Sequence, residues 1–251
     1  MTLSLDDWHH RYLIQAKWTE DIRSYLFDQA DLQPNDRVLE VGSGTGAILE
    51  TLSREYGAQY YGVDVDGARL RYSKNHNPSF FLSRADGYFL PFRDHTFSIT
   101  YCHYLLLWLE NPAQILVEMA RVTHSNGYII ALAEPDHVSR IDFPPPLDDL
   151  GEIQTAALQA QGVDTQLGRK LAKIFQEAGL EEVEYGILGA QWHEGNLRKI
   201  DTSEWDILHK DLNQSLSKEQ LDNFNEMDIE ARQAGLRVLF VPTFYAKGLV
   251  G

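Results

Sequence analysis

The stretch Val38-Leu39-Glu40-Val41 runs without a break into Gly42-Ser43-Gly44-Thr45-Gly46. An apolar strand ending on three alternate glycines constrains the fold more than any other feature of the chain. Glycine adopts the positive φ that other residues avoid, so the backbone turns sharply and a ligand can approach it closely. A helical pattern follows at once over Ala47–Tyr56, and the start of a helix offers unpaired N–H groups to the same spot. Strand, glycine turn and helix together open a parallel α/β sheet.

The alternation continues down the chain. Strands are expected at Arg37–Val41, Gln59–Val63, Ser79–Ser83, Thr96–Cys102 and Tyr128–Ala133, with helices at Asp66–Lys74 and Pro112–Thr123 between them. Apolar strands separated by helices imply a sheet covered on both faces, with right-handed crossovers. Residues 5–31 are helical by the spacing of Trp8, Tyr12, Ile22 and Leu26. After Glu134 the character changes. Pro144-Pro145-Pro146 predicts an extended stretch. Helices are expected at 148–160 and 166–178, strands at Glu182–Leu188 and Arg237–Tyr245, and a polar, helix-rich insertion over 192–235.

The glycine loop alone supports two cofactors. Gly42-x-Gly44-x-x-Ala47 satisfies the dinucleotide pattern, and Asp64, 18 residues past Gly46, stands where an acid takes a ribose hydroxyl in either case. Glu40 separates the readings. An acid two residues before the first glycine would repel a pyrophosphate and suits a ligand with an ammonium group. Charge narrows the partners further. The 251 residues carry 22 Lys and Arg against 37 Asp and Glu, a formal net charge of −15. Such a surface repels nucleic-acid phosphates and anionic membranes. One cysteine allows no intrachain disulfide, no apolar run is long enough to span a bilayer, and the first residues lack a signal-peptide layout, so a cytoplasmic protein is expected. No His, Cys, Asp and Glu set has ligand spacing, although Glu134, Asp136 and His137 come nearest, so no metal is expected.

Four stretches in order carry a resemblance. Val38–Gly46, Tyr61-Gly62-Val63-Asp64, Arg84-Ala85-Asp86-Gly87 before Leu90-Pro91-Phe92, and Phe97–Trp108 with Met119-Ala120-Arg121-Val122 and Asn126-Gly127-Tyr128 resemble the class I S-adenosylmethionine (SAM)-dependent methyltransferases, in particular the small-molecule "methyltransferase type 11" group. Asp66 and Asn126 depart from the usual pattern there without touching the cofactor logic. The resemblance implies an α/β, Rossmann-like, mostly parallel sheet of seven strands with helices on both faces and the last strand antiparallel. It implies one domain over 1–251, with 36–134 as the SAM-binding core, 1–31 as an N-terminal helical cover and 192–235 as a helical lid.

It also implies site residues. The methionine end of SAM would meet Glu40, Gly42, Ser43, Gly44, Thr45 and Gly46. Asp64 with Val65 would take the ribose, Asp86 with Gly87 the adenine edge, and Cys102 with His103 the end of the fourth strand. Arg11-Tyr12-x-x-Gln15-Ala16-x-Trp18 resembles a segment that folds over the cofactor in a subset of these enzymes, assigning Arg11, Gln15 and Trp18 to it. Ligands of open α/β sheets bind at the carboxyl ends of the strands. Glu134, Asp136, Arg140 and Tyr245 are therefore expected on the substrate side, with His103 as candidate general base. The implied chemistry is methyl transfer to a small molecule, releasing S-adenosylhomocysteine (SAH), by a monomer or homodimer. An NAD(P) oxidoreductase and a non-catalytic SAM-binding protein stand as alternatives.

Overall fold

In the computed structural model the described residues are 4–189, 205, 208–210 and 212–251. The chain opens with α1 (Leu5–Trp18) and α2 (Glu20–Asp28). Then come β1 (Arg37–Val41), α3 (Ala47–Glu55), β2 (Gln59–Asp64), α4 (Gly67–His76), β3 (Phe81–Arg84), β4 (Phe97–Cys102), α5 (Pro112–Val122) and β5 (Thr123–Pro135). The second half holds β6 (Ile141–Phe143), α6 (Pro146–Ala160), α7 (Leu171–Glu177), β7 (Glu181–Ile187), α8 (Lys218–Gln233), β8 (Val238–Phe240) and β9 (Thr243–Leu249).

Seven strands form one sheet in the order β3-β2-β1-β4-β5-β9-β7. The pairs from β3 through β5 are parallel, and β9 runs antiparallel to both β5 and β7. Alternation along β1 sends Val38 to one face and Leu39 to the other. Leu39 and Val41 join Ile115, Leu116 and Met119 of α5 and Ile174 and Phe175 of α7. Val38 joins Leu26 and Phe27 of α2 and Leu49 and Leu52 of α3. A third, smaller core packs Leu147 and Leu150 of α6 against Leu221 and Ala231 of α8 and Trp205.

Two expectations need correction. Pro144-Pro145-Pro146 starts a helix rather than an extended run: Pro145 is helical at φ −47° and ψ −42°, and Pro146 opens α6. Proline's fixed φ suits the first helical turn, where its missing N–H would be unpaired anyway. The expected strand Arg237–Tyr245 is two strands. Pro242, which has no N–H to give a ladder, ends the first; β8 leaves the main sheet and pairs antiparallel with β6, while β9 re-enters it. Much of the expected 192–235 insertion lies outside the described residues; its described helix, α8, packs on α6.

Buried polar anchors dock the first helices. Arg23 donates to the Ala16 carbonyl at 2.8 Å and pairs with Glu55 of α3 at 3.1 Å. The His9 ring hydrogen-bonds the Thr45 hydroxyl at 3.0 Å and lies 3.3 Å from the Glu50 carboxylate. Helix α1 is thereby held across the glycine loop.

Candidate active site

The strand order reverses direction between β1 and β4, which is where open α/β sheets bind their ligands. A cavity of about 1040 Å³ lies over these strand ends, roofed by α1. It is at the upper end of the range of small-molecule sites, with room for more than one drug-sized ligand.

The glycine loop forms its floor. Gly42 and Ser43 donate their N–H groups to the Val63 carbonyl at 2.8 and 2.9 Å, curling the loop over β2. Gly44, at φ +51°, donates to Asp64 Oδ2 at 2.8 Å, and a Cβ there would meet nothing closer than that oxygen, at 3.9 Å. The other oxygen of Asp64 accepts from the Asp66 N–H at 2.8 Å. A carboxylate oxygen has two lone pairs, so each keeps one for a ligand. Gly46 serves packing instead: a side chain there would collide with Ser73 of α4.

Glu40 is 3% exposed and stands in the cavity wall, accepting a hydrogen bond from the Tyr101 hydroxyl at 3.0 Å. Burial raises its pKa to about 8, with the Asp64 charge adding to the effect. A neutral or shared acid in a dry wall is poised to ionise when a cation arrives. His103 lines the same cavity with its Nε2 buried and unpartnered. Burial, helped by the Arg23 charge, pushes its pKa down to about 3. The ring is neutral at pH 7 and too weak a base to fit the expected role.

Most of the expected cofactor residues converge. Arg11, Gln15 and Trp18 of α1 line the cavity with Glu40, Gly42, Ser43, Gly44, Asp64, Val65, Asp86, Gly87 and His103. The Arg11 guanidinium lies 5.2 Å from the centre of the Trp18 ring. Thr45, Gly46 and Cys102 do not line it. Thr45 anchors His9, and Cys102 is fully buried in the core, where burial lifts its thiol pKa well above the ordinary value.

The expected substrate residues divide. Arg140 lines the cavity; Glu134, Asp136 and Tyr245 do not. Strand β5 continues through Glu134, whose carboxylate accepts from the N–H groups of Leu105, Leu106 and Leu107 at 3.0, 2.9 and 3.2 Å and so shapes the loop after β4. Asp136 is paired with Arg169 and accepts from the Ser139 N–H at 3.2 Å. Both acids are committed within the protein. Tyr245 packs over Gly186 of β7. Thr243, two residues earlier, reaches the cavity in its place, as do Trp8, Tyr12, His137, Gln154 and Arg237, which the sequence did not single out for it.

Residues 39–131 match the family model described as "Methyltransferase domain". Over that segment the chain is similar to methyltransferases. An uncharacterised methyltransferase of Schizosaccharomyces pombe is 31% identical over 155 residues, 56% of this chain and 55% of the relative. A demethylmenaquinone methyltransferase of Corynebacterium urealyticum is 38% identical over 104 residues, 41% of this chain and 44% of that one. The chain thus spans about half the length of the curated relatives it matches. Among solved structures, the geranyl diphosphate C-methyltransferase of Streptomyces coelicolor, in complex with Mg2+, geranyl diphosphate and SAH, superposes with a TM-score of 0.57 at 12% identity, covering 92% of this chain and 81% of that one. At that identity the likeness is one of fold. The matched segment holds the glycine loop, Asp64, Asp86 and His103.

Proposed function

We propose that the protein transfers a methyl group from SAM to a small-molecule acceptor by in-line displacement, leaving SAH. The observation that carries this reading is Glu40: a buried, proton-holding acid in the wall of a cavity floored by glycines. Such an acid ionises beside an ammonium and gains no such partner from a pyrophosphate. The open space at Gly44, where a Cβ would meet only Asp64, fits a ligand lying on the loop.

In this reading Glu40 and the loop hold the amino-acid ammonium, and Arg11 with Gln15 and Trp18 covers the carboxylate and sulfonium. Asp64 with Val65 takes the ribose, and Asp86 with Gly87 the adenine. Bound SAM supplies a methyl on a positively charged sulfur, already a good leaving group. The acceptor's lone pair forms the new bond while the carbon–sulfur electrons stay on sulfur. The protein's task is to align the two and keep them aligned. Helix α1, held by His9 and Arg23, does this from above. His103 acts as a neutral hydrogen-bonding group that orients the acceptor. The net charge of −15 supports a partner that is neither nucleic acid nor anionic membrane. Among the described residues no helix is long and apolar enough to cross a membrane. A cytoplasmic monomer or homodimer belongs to the same proposal.

Thermal unfolding with SAH, NADH or NADPH tests it. At a hundredfold excess over Kd a ligand stabilises by about 2.7 kcal/mol, which for a chain of this size raises Tm by roughly 5–11 °C. SAH is expected to give that shift and the nicotinamides none. A shift with NADH or NADPH alone would sink the proposal. Transfer of labelled methyl from SAM to a metabolite panel then separates an enzyme from a binding protein.

A further inference from the structure

The acids of the cavity are gathered on one side, where Arg11 of α1 and Arg69 of α4 also line it. The three acids, Glu40, Asp64 and Asp86, stand at the ends of β1 and β2 and just past β3. The other half is built by the segment after β5, by α6, by the end of α8 and by β8. Among the described residues that line it there is no carboxylate, and there are three arginines: Arg140, Arg232 and Arg237.

Their carboxylate partners stand behind the wall. Asp142 pairs with Arg140 and, at 2.6 Å, with Arg237. Asp228 pairs with Arg237 at 2.6 Å and Arg232 at 2.8 Å. Both acids are almost fully buried and neither faces the cavity. Arg237 is wrapped on all sides, since it also donates from Nη1 to the Phe143 and Val238 carbonyls. Arg140 spends two N–H groups on Asp142 and one on Gln154. A guanidinium has five, so two are left over. Beside it His137 lines the same wall with its Nδ1 buried and unpartnered. Burial and the Arg140 charge hold its pKa near 4, so the ring is neutral and can donate. Leu107, Leu158 and Leu239 supply apolar wall next to these groups. The two remaining N–H groups of Arg140 forgo charge-assisted bonds unless a ligand in the cavity accepts them.

We propose that this half seats the methyl acceptor, and that the acceptor is an amphipathic anion: an apolar body bearing a carboxylate or phosphate that docks on Arg140, with His137 and Arg237 at its sides. The inference rests on the methyl-transfer reading, which assigns the acidic half to SAM and this half to the acceptor.

Isothermal titration of octanoate, octyl phosphate and the neutral octanamide, each with and without saturating SAH, tests it. At least one anion is expected to bind roughly tenfold or more tighter than octanamide, as one charge-assisted contact implies. The preferred anion distinguishes carboxylate from phosphate. Arg140→Gln is expected to erase that preference while SAH affinity holds, and Arg140→Lys to keep part of it. Octanamide binding as well as both anions, or neither anion binding, overturns the inference even where SAH binds. Anion binding with no SAH binding leaves the anion seat standing and removes the methyl-transfer reading. Should Arg140→Gln fail to fold, the comparison of the three probes on the unaltered protein decides alone.

Discussion

Glutamine in place of Glu40 keeps the side chain's size and removes its ionisable oxygen. In the free protein burial holds the Glu40 pKa at about 8. The ionised fraction is then about 1% at pH 6, about 9% at pH 7 and about 50% at pH 8. An ammonium placed beside the carboxyl favours the ionised form, so binding must expel the proton. Affinity for SAH therefore rises with pH, by about ninefold from pH 6 to 7 and about fivefold from pH 7 to 8, and levels off above that. At pH 7 binding releases about 0.9 proton, which titration calorimetry in two buffers of different ionisation enthalpy measures directly. In Glu40→Gln the slope vanishes. Loss of a hydrogen bond to a charged group costs about 1.5–3 kcal/mol, a loss of roughly 10- to 150-fold at pH 8. The free protein shows the opposite sign. A folded pKa above the unfolded value of 4.5 means the native state holds the extra proton, so this acid costs stability as pH rises from about 4.5 to 8. Glu40→Gln is expected to be more stable than the unaltered protein at pH 8 without ligand. A flat pH profile in the unaltered protein, or an undiminished slope in the variant, refutes the reasoning.

Gly44→Val places a β-branched residue at φ +51° and fills the space over the loop, so SAH binding by calorimetry is expected to vanish while the cooperative melt persists. Glu134→Gln replaces a carboxylate that accepts three backbone N–H groups with an amide that has one acceptor oxygen. A loss of about 1–3 kcal/mol in urea unfolding is expected, and an unchanged midpoint would restore Glu134 as a free substrate ligand.

The half of the cavity proposed for SAM was legible as a place because each of its parts is local. Glu40, Gly42 and Gly44 are alternate residues of one strand and turn, and Asp64 and Asp86 sit at or near the ends of the next two strands. Reading the strand ends therefore brought these residues to one cavity. The same local logic misplaced residues wherever a strand ran longer than its apolar pattern. β5 extends to Pro135, so Glu134 belongs to the sheet and turns into the protein rather than to a loop over the ligand. Cys102 ends β4 with its side chain in the core, and only the next residue, His103, reaches the cavity. Trp8 and Tyr12 carried a helical spacing that fits a buried face equally well, and the spacing is silent on whether that face meets a core or a cavity.

The half proposed for the acceptor was illegible for a different reason: no segment of the sequence contains it. Arg140 and Arg237 are joined through Asp142, and what joins them is strand pairing. β9 inserts antiparallel beside β5, with Thr243 opposite Pro135. The chain entering β9 must therefore pass the chain leaving β5, and Val238–Phe240 falls into register with Ile141–Phe143. That register sets Arg237 against Asp142, the acid that also orients Arg140. None of these pairs touches β1, β2 or the glycine loop. The two halves of the cavity are thus mechanically separable, since substitutions in β6, α6 or β8 can reshape the acceptor's seat while leaving the glycine floor in place. On the proposed function this separation lets the acceptor change while the donor stays, which is why residues that match a methyltransferase domain say so little about what is methylated.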